Sequence, residues 1–266
     1  MQRCWAEAGV GRCCTCMLVG VRHRRATDWE EVARREPYFP VLTNGGFPEV
    51  PGNADATAAF FETGEGDLAA LLAAMNSLLG RDPSLACALD FGCGAGRLTL
   101  PLARRALRVV ACDVAPTMLA HARQNAESAG VRNVTFMSLE DLADLAPGEF
   151  DFICSLLVFE YIPAPVGHQI LRNLMNLLAP GGFAAIQVTF RHPRSSLRRL
   201  VRLLRSRSQP GHGTLGGRRC DSHLPYEYDE HSVRRDIEAA GALLLARLPT
   251  RHADATAAVM IITKPL

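Results

Sequence analysis

The rhythm of apolar and polar positions changes twice along the chain. Over residues 56–80, "ATAAFFETGEGDLAALLAAMNSLLG" sets Leu68, Leu71, Leu72, Met75, Leu78 and Leu79 at helical spacing, with Gly80 as a stop. Before it, "DWEEVARREPYFPVLTNGGF" reads as a short helix stopped by Pro37, then irregular chain. From residue 85 the pattern becomes an alternation. Apolar strands are expected at 85–91, 107–113, 133–139, 150–157 and 183–190, with helices at 96–106, 115–130 and 166–182. Residues 140–149 read as a loop or short helix. After an amphipathic stretch at 229–241 come two apolar runs, "ALLLARLP" and "AAVMIITK", separated only by "TRHADAT". So short a link cannot hold the crossover that parallel neighbours need, so these two runs should pair antiparallel.

Strands alternating with helices imply a parallel sheet covered on both faces. The expected fold class is α/β: a doubly wound, seven-stranded, mostly parallel Rossmann-like sheet with a C-terminal antiparallel hairpin and an N-terminal helical cap. Residues 1–27 read as a leader without regular structure, and 28–266 as one domain. Within it, 28–82 form the helical cap, 83–190 the ligand-binding core, 191–225 a basic insertion and 226–266 the last helix and hairpin.

Composition narrows the setting. With 48% hydrophobic residues in 266, one large core can be buried. No run reaches the ~18 apolar residues of a membrane helix, and "CTCMLVGV" is too short and broken for a secretory signal. A cytoplasmic protein is expected. Cys87, Cys93, Cys112 and Cys154 fall in or beside expected strands, where a free thiol packs as a small hydrophobe. Cys4, Cys13, Cys14 and Cys16 fit no metal-ligand spacing, so no metal site is expected. Residues 191–220 hold nine arginines and no acid, which concentrates the basic charge in one segment.

The chemistry starts at "LDFGCGAGRLT", residues 89–99, where Gly92, Gly94 and Gly96 follow an expected strand. A strand, a glycine turn and a helix present backbone amides to a ligand. The dinucleotide spacing G-x-G-x-x-G is not met, because Arg97 stands where its third glycine belongs. Asp113 ends the second strand 19 residues after Gly94, where a carboxylate can accept both hydroxyls of a ribose. Asp90 suits a ligand with an amine nearby. A nucleoside bearing an amino acid and no diphosphate fits both, which is S-adenosylmethionine.

Together, "LDFGCGAGRLT", "VVACDVAPTML", "FDFICSLLVFEYI", "LLAPGGF" and the closing hairpin resemble, in order, a class I S-adenosylmethionine-dependent methyltransferase of the bacterial small-molecule type. "EPYFPVLT" and "AFFETGE" resemble the lead-in of one bacterial subgroup. The resemblance implies that Gly92, Gly94 and Gly96 line the methionine and ribose side, that Asp90 orients the methionyl amine and that Asp113 holds the ribose. It places Val114 and Met118 beside the adenine, Leu139 and Glu140 at its amino edge, and Ser155 and Leu156 close to the reactive methyl. Ser138 stands where many members have aspartate.

The acceptor is read more coarsely. "SLLVFEY" differs from the loop of exocyclic-amine base methyltransferases, and Cys154 is preceded by Ile153 rather than the proline of cytosine C5 enzymes. Nucleic acid is therefore disfavoured. The expected reaction is transfer of a methyl group to oxygen or nitrogen of a small molecule, such as an anionic metabolite, a sugar or a natural product, leaving S-adenosylhomocysteine. Candidate bases are Glu160 and His223, and candidate pocket walls are Tyr38 and Tyr226. Arg198, Arg199 and Arg202, on a basic helix, are expected to face an anionic acceptor as part of a lid; a solvated helix and peripheral contact with anionic lipid stay open for the same segment. Two alternatives stay open for the whole chain: a cofactor-binding protein without catalysis, and a nicotinamide oxidoreductase.

Overall fold

The computed structural model describes residues 25–35, 37–38, 54–190, 226–250 and 257–266. The expected leader up to residue 24, Arg198, Arg199, Arg202 and the rest of the basic insertion to residue 225, and His223 lie outside the described residues, whereas residues 25–27, expected to lack regular structure, open the first helix. Helices α1 (Arg25–Arg35) and α2 (Ala54–Leu79) precede the sheet. Then follow β1 (Cys87–Phe91), α3 (Thr99–Ala103), β2 (Arg108–Cys112), α4 (Pro116–Ser128), β3 (Val134–Met137), α5 (Leu139–Ala143) and β4 (Phe150–Ser155). A 3-10 turn (Phe159–Tyr161), α6 (Ala164–Leu177), β5 (Leu178–Thr189), α7 (Glu230–Ala239), β6 (Leu243–Pro249) and β7 (Ala257–Thr263) complete the set.

The seven strands lie in the order β3-β2-β1-β4-β5-β7-β6. The first five are parallel, and β7 runs antiparallel to both β5 and β6. Two-residue alternation sends side chains to opposite faces. Leu89, Val110, Ile153, Ile186 and Met260 face a core closed by Leu171 and Leu174 of α6 and Val233 and Ile237 of α7. Ala88, Val109, Phe152, Ala185 and Ile261 face the other, closed by Leu68, Leu71 and Met75 of α2 and Leu102 of α3. The expected layers and terminal hairpin are therefore present.

Two elements differ from their expected limits. The helix expected at 96–106 shrinks to Thr99–Ala103, because Gly96 has φ +95° and cannot begin a right-handed helix. The helix expected to reach residue 182 ends at Leu177, and "LAPGG" becomes the start of β5. There the register jumps from Phe150 opposite Leu178 to Phe152 opposite Phe183, so the segment bulges out of the ladder. Gly181 N–H donates to the Lys264 carbonyl (2.7 Å), which recovers a bond that the bulge forfeits. None of the described helices is long and apolar enough to cross a membrane.

Candidate functional site

Parallel strands all end on one side of the sheet, and a doubly wound sheet binds ligands there. Gly92 follows β1, Asp113 follows β2, and Leu157 and Val158 follow β4. These residues border one cleft of about 860 Å³ including its open mouth, a size typical of cofactor and small-molecule sites.

The glycine turn is held from β2. The Gly92 and Cys93 amides both donate to the Cys112 carbonyl at 2.9 Å. Asp113 then grips the turn from the side. Its Oδ2 accepts from the Gly94 amide and its Oδ1 from the Ala115 amide, each at 2.9 Å, so one carboxylate both shapes the turn and holds the residue that leads into α4. Burial raises the Asp113 carboxyl above the ordinary carboxylate range, opposed by those amide bonds.

Each glycine has its own reason to be glycine. At Gly92 (φ +78°) a Cβ would lie 2.5 Å from Val158 Cγ2, so packing within the protein forbids it. At Gly94 (φ +51°) no protein atom lies within 4 Å of that position, although the residue borders the cleft. The bare backbone there faces ligand space.

Asp90 lies behind the turn, 2% exposed, and accepts a 2.6 Å bond from the Thr99 hydroxyl. Burial lifts its carboxyl to about 6, with the Thr99 bond and the nearby Arg97 guanidinium pulling the other way. Arg97 is itself buried and pairs with Asp67 of α2 at 2.6 Å, which ties the helical cap to the glycine turn.

The adenine-side candidates split. Val114, Met118 and Leu139 line the cleft, and Glu140 does not. Leu139 is set at the start of α5 by a capping box in which Ser138 and Asp141 bond each other's backbone amides. Ser155 and Leu156, expected near the reacting group, do not line the cleft either. Ser155 is fully buried and donates to the Phe91 carbonyl (3.0 Å), while Leu156 packs into the core beneath α2 and α3. The cleft instead receives Leu157 and Val158. Leu157 has φ +61°, the only positive φ of a non-glycine among the described residues, a strained conformation that a packed surround must maintain.

Beyond β4 the 3-10 turn and the start of α6 bring Tyr161, Ile162, Pro163 and Ile170 to the cleft, and α1 brings Trp29. Sequence reasoning missed these residues. The apolar, aromatic "VFEYIP" in a strand-to-helix link was the available signal; for Trp29 only the docking of α1 reveals it. Glu160 does not line the cleft and reaches it through a hydrogen bond to Tyr161. The Tyr226 amide donates to the Glu160 carbonyl at 2.8 Å, and the Tyr228 hydroxyl donates to the Phe159 and Ile162 carbonyls, so the 3-10 turn is clamped from behind. Tyr38 is not a wall: its hydroxyl donates to Asn125 Oδ1 (3.2 Å), and Asn125 Nδ2 donates to the Ala95 carbonyl beside the glycines.

Glycine turn, carboxylate after β2 and an antiparallel seventh strand define a doubly wound α/β class with its cleft at the strand ends. Residues 88–182 match the family described as a methyltransferase domain. Over 106 residues the chain is 37% identical to a ubiquinone biosynthesis O-methyltransferase of Xanthomonas euvesicatoria, covering 40% of this chain and 44% of that protein. The corresponding enzyme of Acinetobacter baumannii is 32% identical over 111 residues, 41% of this chain and 46% of that one. The chain thus spans less than half the length of the curated relatives it matches. The crystal structure of magnesium protoporphyrin IX methyltransferase from Synechocystis with bound SAH shares the fold at a TM-score of 0.59, with 19% identity, 93% of this chain and 99% of that chain covered. Residues 88–182 thus match a methyltransferase domain, and the sheet that contains them has the fold of a methyltransferase solved with SAH.

Proposed function

We propose that this protein transfers a methyl group from S-adenosylmethionine to a small-molecule acceptor. The observation that carries this reading is the Asp113 carboxylate bonded to the Gly94 amide at the edge of a cleft in which Gly94 faces no protein atom. The two groups leave a bare amide turn and an acceptor-rich carboxylate beside the apolar Val114, Met118 and Leu139, which suits a ribose carrying adenine. Asp90 supplies negative charge behind the turn, toward the amine of the methionyl part.

When bound, the donor supplies a methyl group on a sulfonium, which passes to a nucleophilic oxygen or nitrogen while S-adenosylhomocysteine leaves. The chain's own contribution is positioning and exclusion of water. Val158 and Leu157 wall the cleft beside Gly92, and the clamped 3-10 turn fixes Tyr161 and Ile162 beyond them. Among the lining residues Asp113 is the only carboxylate, and it is committed to the turn. A proton released by the acceptor has a route through Tyr161 to Glu160. The free thiols of Cys87, Cys93, Cys112 and Cys154 suit a reducing cytoplasm.

Calorimetric titration tests the reading. S-adenosylhomocysteine should bind and NAD should not, and Asp113→Ala should lose about 1.5–3 kcal/mol of binding for each charged hydrogen bond removed. The opposite ligand preference refutes methyl transfer.

A further inference from the structure

The cleft has two chemically different ends. Gly92, Gly94 and Asp113 carry the polar groups of the first. The second, on the β4 side, is walled by Trp29, Leu157, Val158, Tyr161, Ile162 and Ile170, with no charged side chain among these lining residues. A phosphate, carboxylate or sugar placed there would lose water without gaining a charged partner among these residues, which costs several kcal/mol per group. Flat apolar molecules have the opposite balance, since each wall residue returns dispersion and removes apolar surface from water.

The aromatic pair at this end also spans the cleft. Trp29 is carried by α1, which docks on α4 behind β2, and Tyr161 follows β4. In the sheet β1 lies between β2 and β4, so the edge-to-face contact of the two rings, with centroids 5.0 Å apart, joins elements that follow strands on either side of β1. That contact gives this end of the cleft a paired aromatic wall.

We propose that the acceptor is a flat, predominantly apolar molecule, held at the β4 end of the cleft against Tyr161, Ile162 and Trp29, and that the Tyr161 ring determines this preference. The proposal rests on the methyl-transfer reading and sharpens its acceptor class away from anionic metabolites and sugars. The ring, rather than the hydroxyl, does the selecting, because the hydroxyl is already engaged by Glu160.

The test uses the full chain and two probes, 1-naphthol for a flat apolar acceptor and glucose 6-phosphate for an anionic sugar. Each is titrated calorimetrically, with and without saturating S-adenosylhomocysteine. Wild type should bind 1-naphthol and not glucose 6-phosphate. Tyr161→Ala should weaken 1-naphthol at least tenfold and Tyr161→Phe less than threefold, both keeping S-adenosylhomocysteine affinity within threefold and a cooperative melt. Absence of 1-naphthol binding, preference for glucose 6-phosphate, or unchanged 1-naphthol affinity in Tyr161→Ala overturns the proposal. Failure of S-adenosylhomocysteine to bind strikes the methyl-transfer reading instead, and the arms without it still decide the acceptor class.

Discussion

A carboxyl group's worth depends on where it is buried, and Asp90 and Asp113 divide the labour at the glycine turn. Asp113 meets two backbone amides and remains at the cleft, whereas Asp90 meets one hydroxyl and is sealed behind it. The Asp90 carboxyl is raised from 3.8 to about 6, so the folded state holds its proton more tightly than the unfolded chain. Its contribution to stability is thus fully present below pH 3.8 and lost as pH rises through about 6. At most about 3 kcal/mol is involved, from roughly 1.4 kcal/mol per pH unit of displacement. Asp90→Asn should therefore flatten the pH dependence: urea unfolding at pH 4 to 7 should show wild type losing stability relative to the variant as pH rises. A constant difference across that range would remove Asp90 as the source. The glycines show the same dependence on surroundings, since Gly92 answers to Val158 and Gly94 to open cleft.

Among the elements, α1 is held by contacts far away in sequence. The N-terminus of α4 has no side-chain cap of its own, because Ala115 stands at the capping position. Glu30 of α1 supplies that cap: its carboxylate accepts from the Thr117 amide at 3.1 Å and from the Thr117 hydroxyl. A negative charge at a helix N-terminus is favourable as well as hydrogen-bonded. Burial pulls the Glu30 carboxyl up, but the Thr117 and Arg34 interactions outweigh it and leave it lowered, so the contact persists at neutral pH and weakens in acid. Glu30→Ala should cost about 0.5–2 kcal/mol, the range of lost caps, and should loosen Trp29 over the cleft. Chemical denaturation gives the first, and an increase in acrylamide quenching of Trp29 fluorescence in a Trp5→Phe background gives the second. An unchanged midpoint together with unchanged quenching would show that α1 is held elsewhere. The bulge at the start of β5 belongs to this scale too: "LAPGG" reads as a helix stop, and its bonds to Thr263 and Lys264 at the end of β7, with the pairing of Leu178 to Phe150, turn it into strand.

For the whole molecule, the last strand matters more than its position suggests. β7 enters between β5 and β6 and pairs with seven residues of β5. It buries Val259, Met260, Ile261 and Ile262, serving the cores on both faces. At roughly 1.5–3 kcal/mol for each large apolar side chain, their loss approaches the whole stability of about 5–15 kcal/mol. Ending the chain at Pro249 also leaves β6 with no neighbour. The truncated protein should show no cooperative melting transition; a transition within a few degrees of full length would mean that the parallel strands stand alone.

Local pattern determined the alternation of strands and helices, the antiparallel close and the glycine turn with its carboxylate after the second strand. Each depends on neighbours in sequence: two-residue periodicity, the length of a link, and a φ available chiefly to glycine. Even Asp113 was legible, because the end of a strand is visible from the pattern around it. What folding alone decided was which side chains share the cleft. Leu157 rather than Ser155 or Leu156 faces it because a left-handed φ at the end of β4 turns the chain, and no local signal marks that residue for such strain. Trp29 and Tyr161 meet across 132 positions because α1 docks on α4 through Glu30, Ala33 and Met118. Side chains so far apart in sequence are brought together by packing, and packing is a property of the closed sheet and its helices.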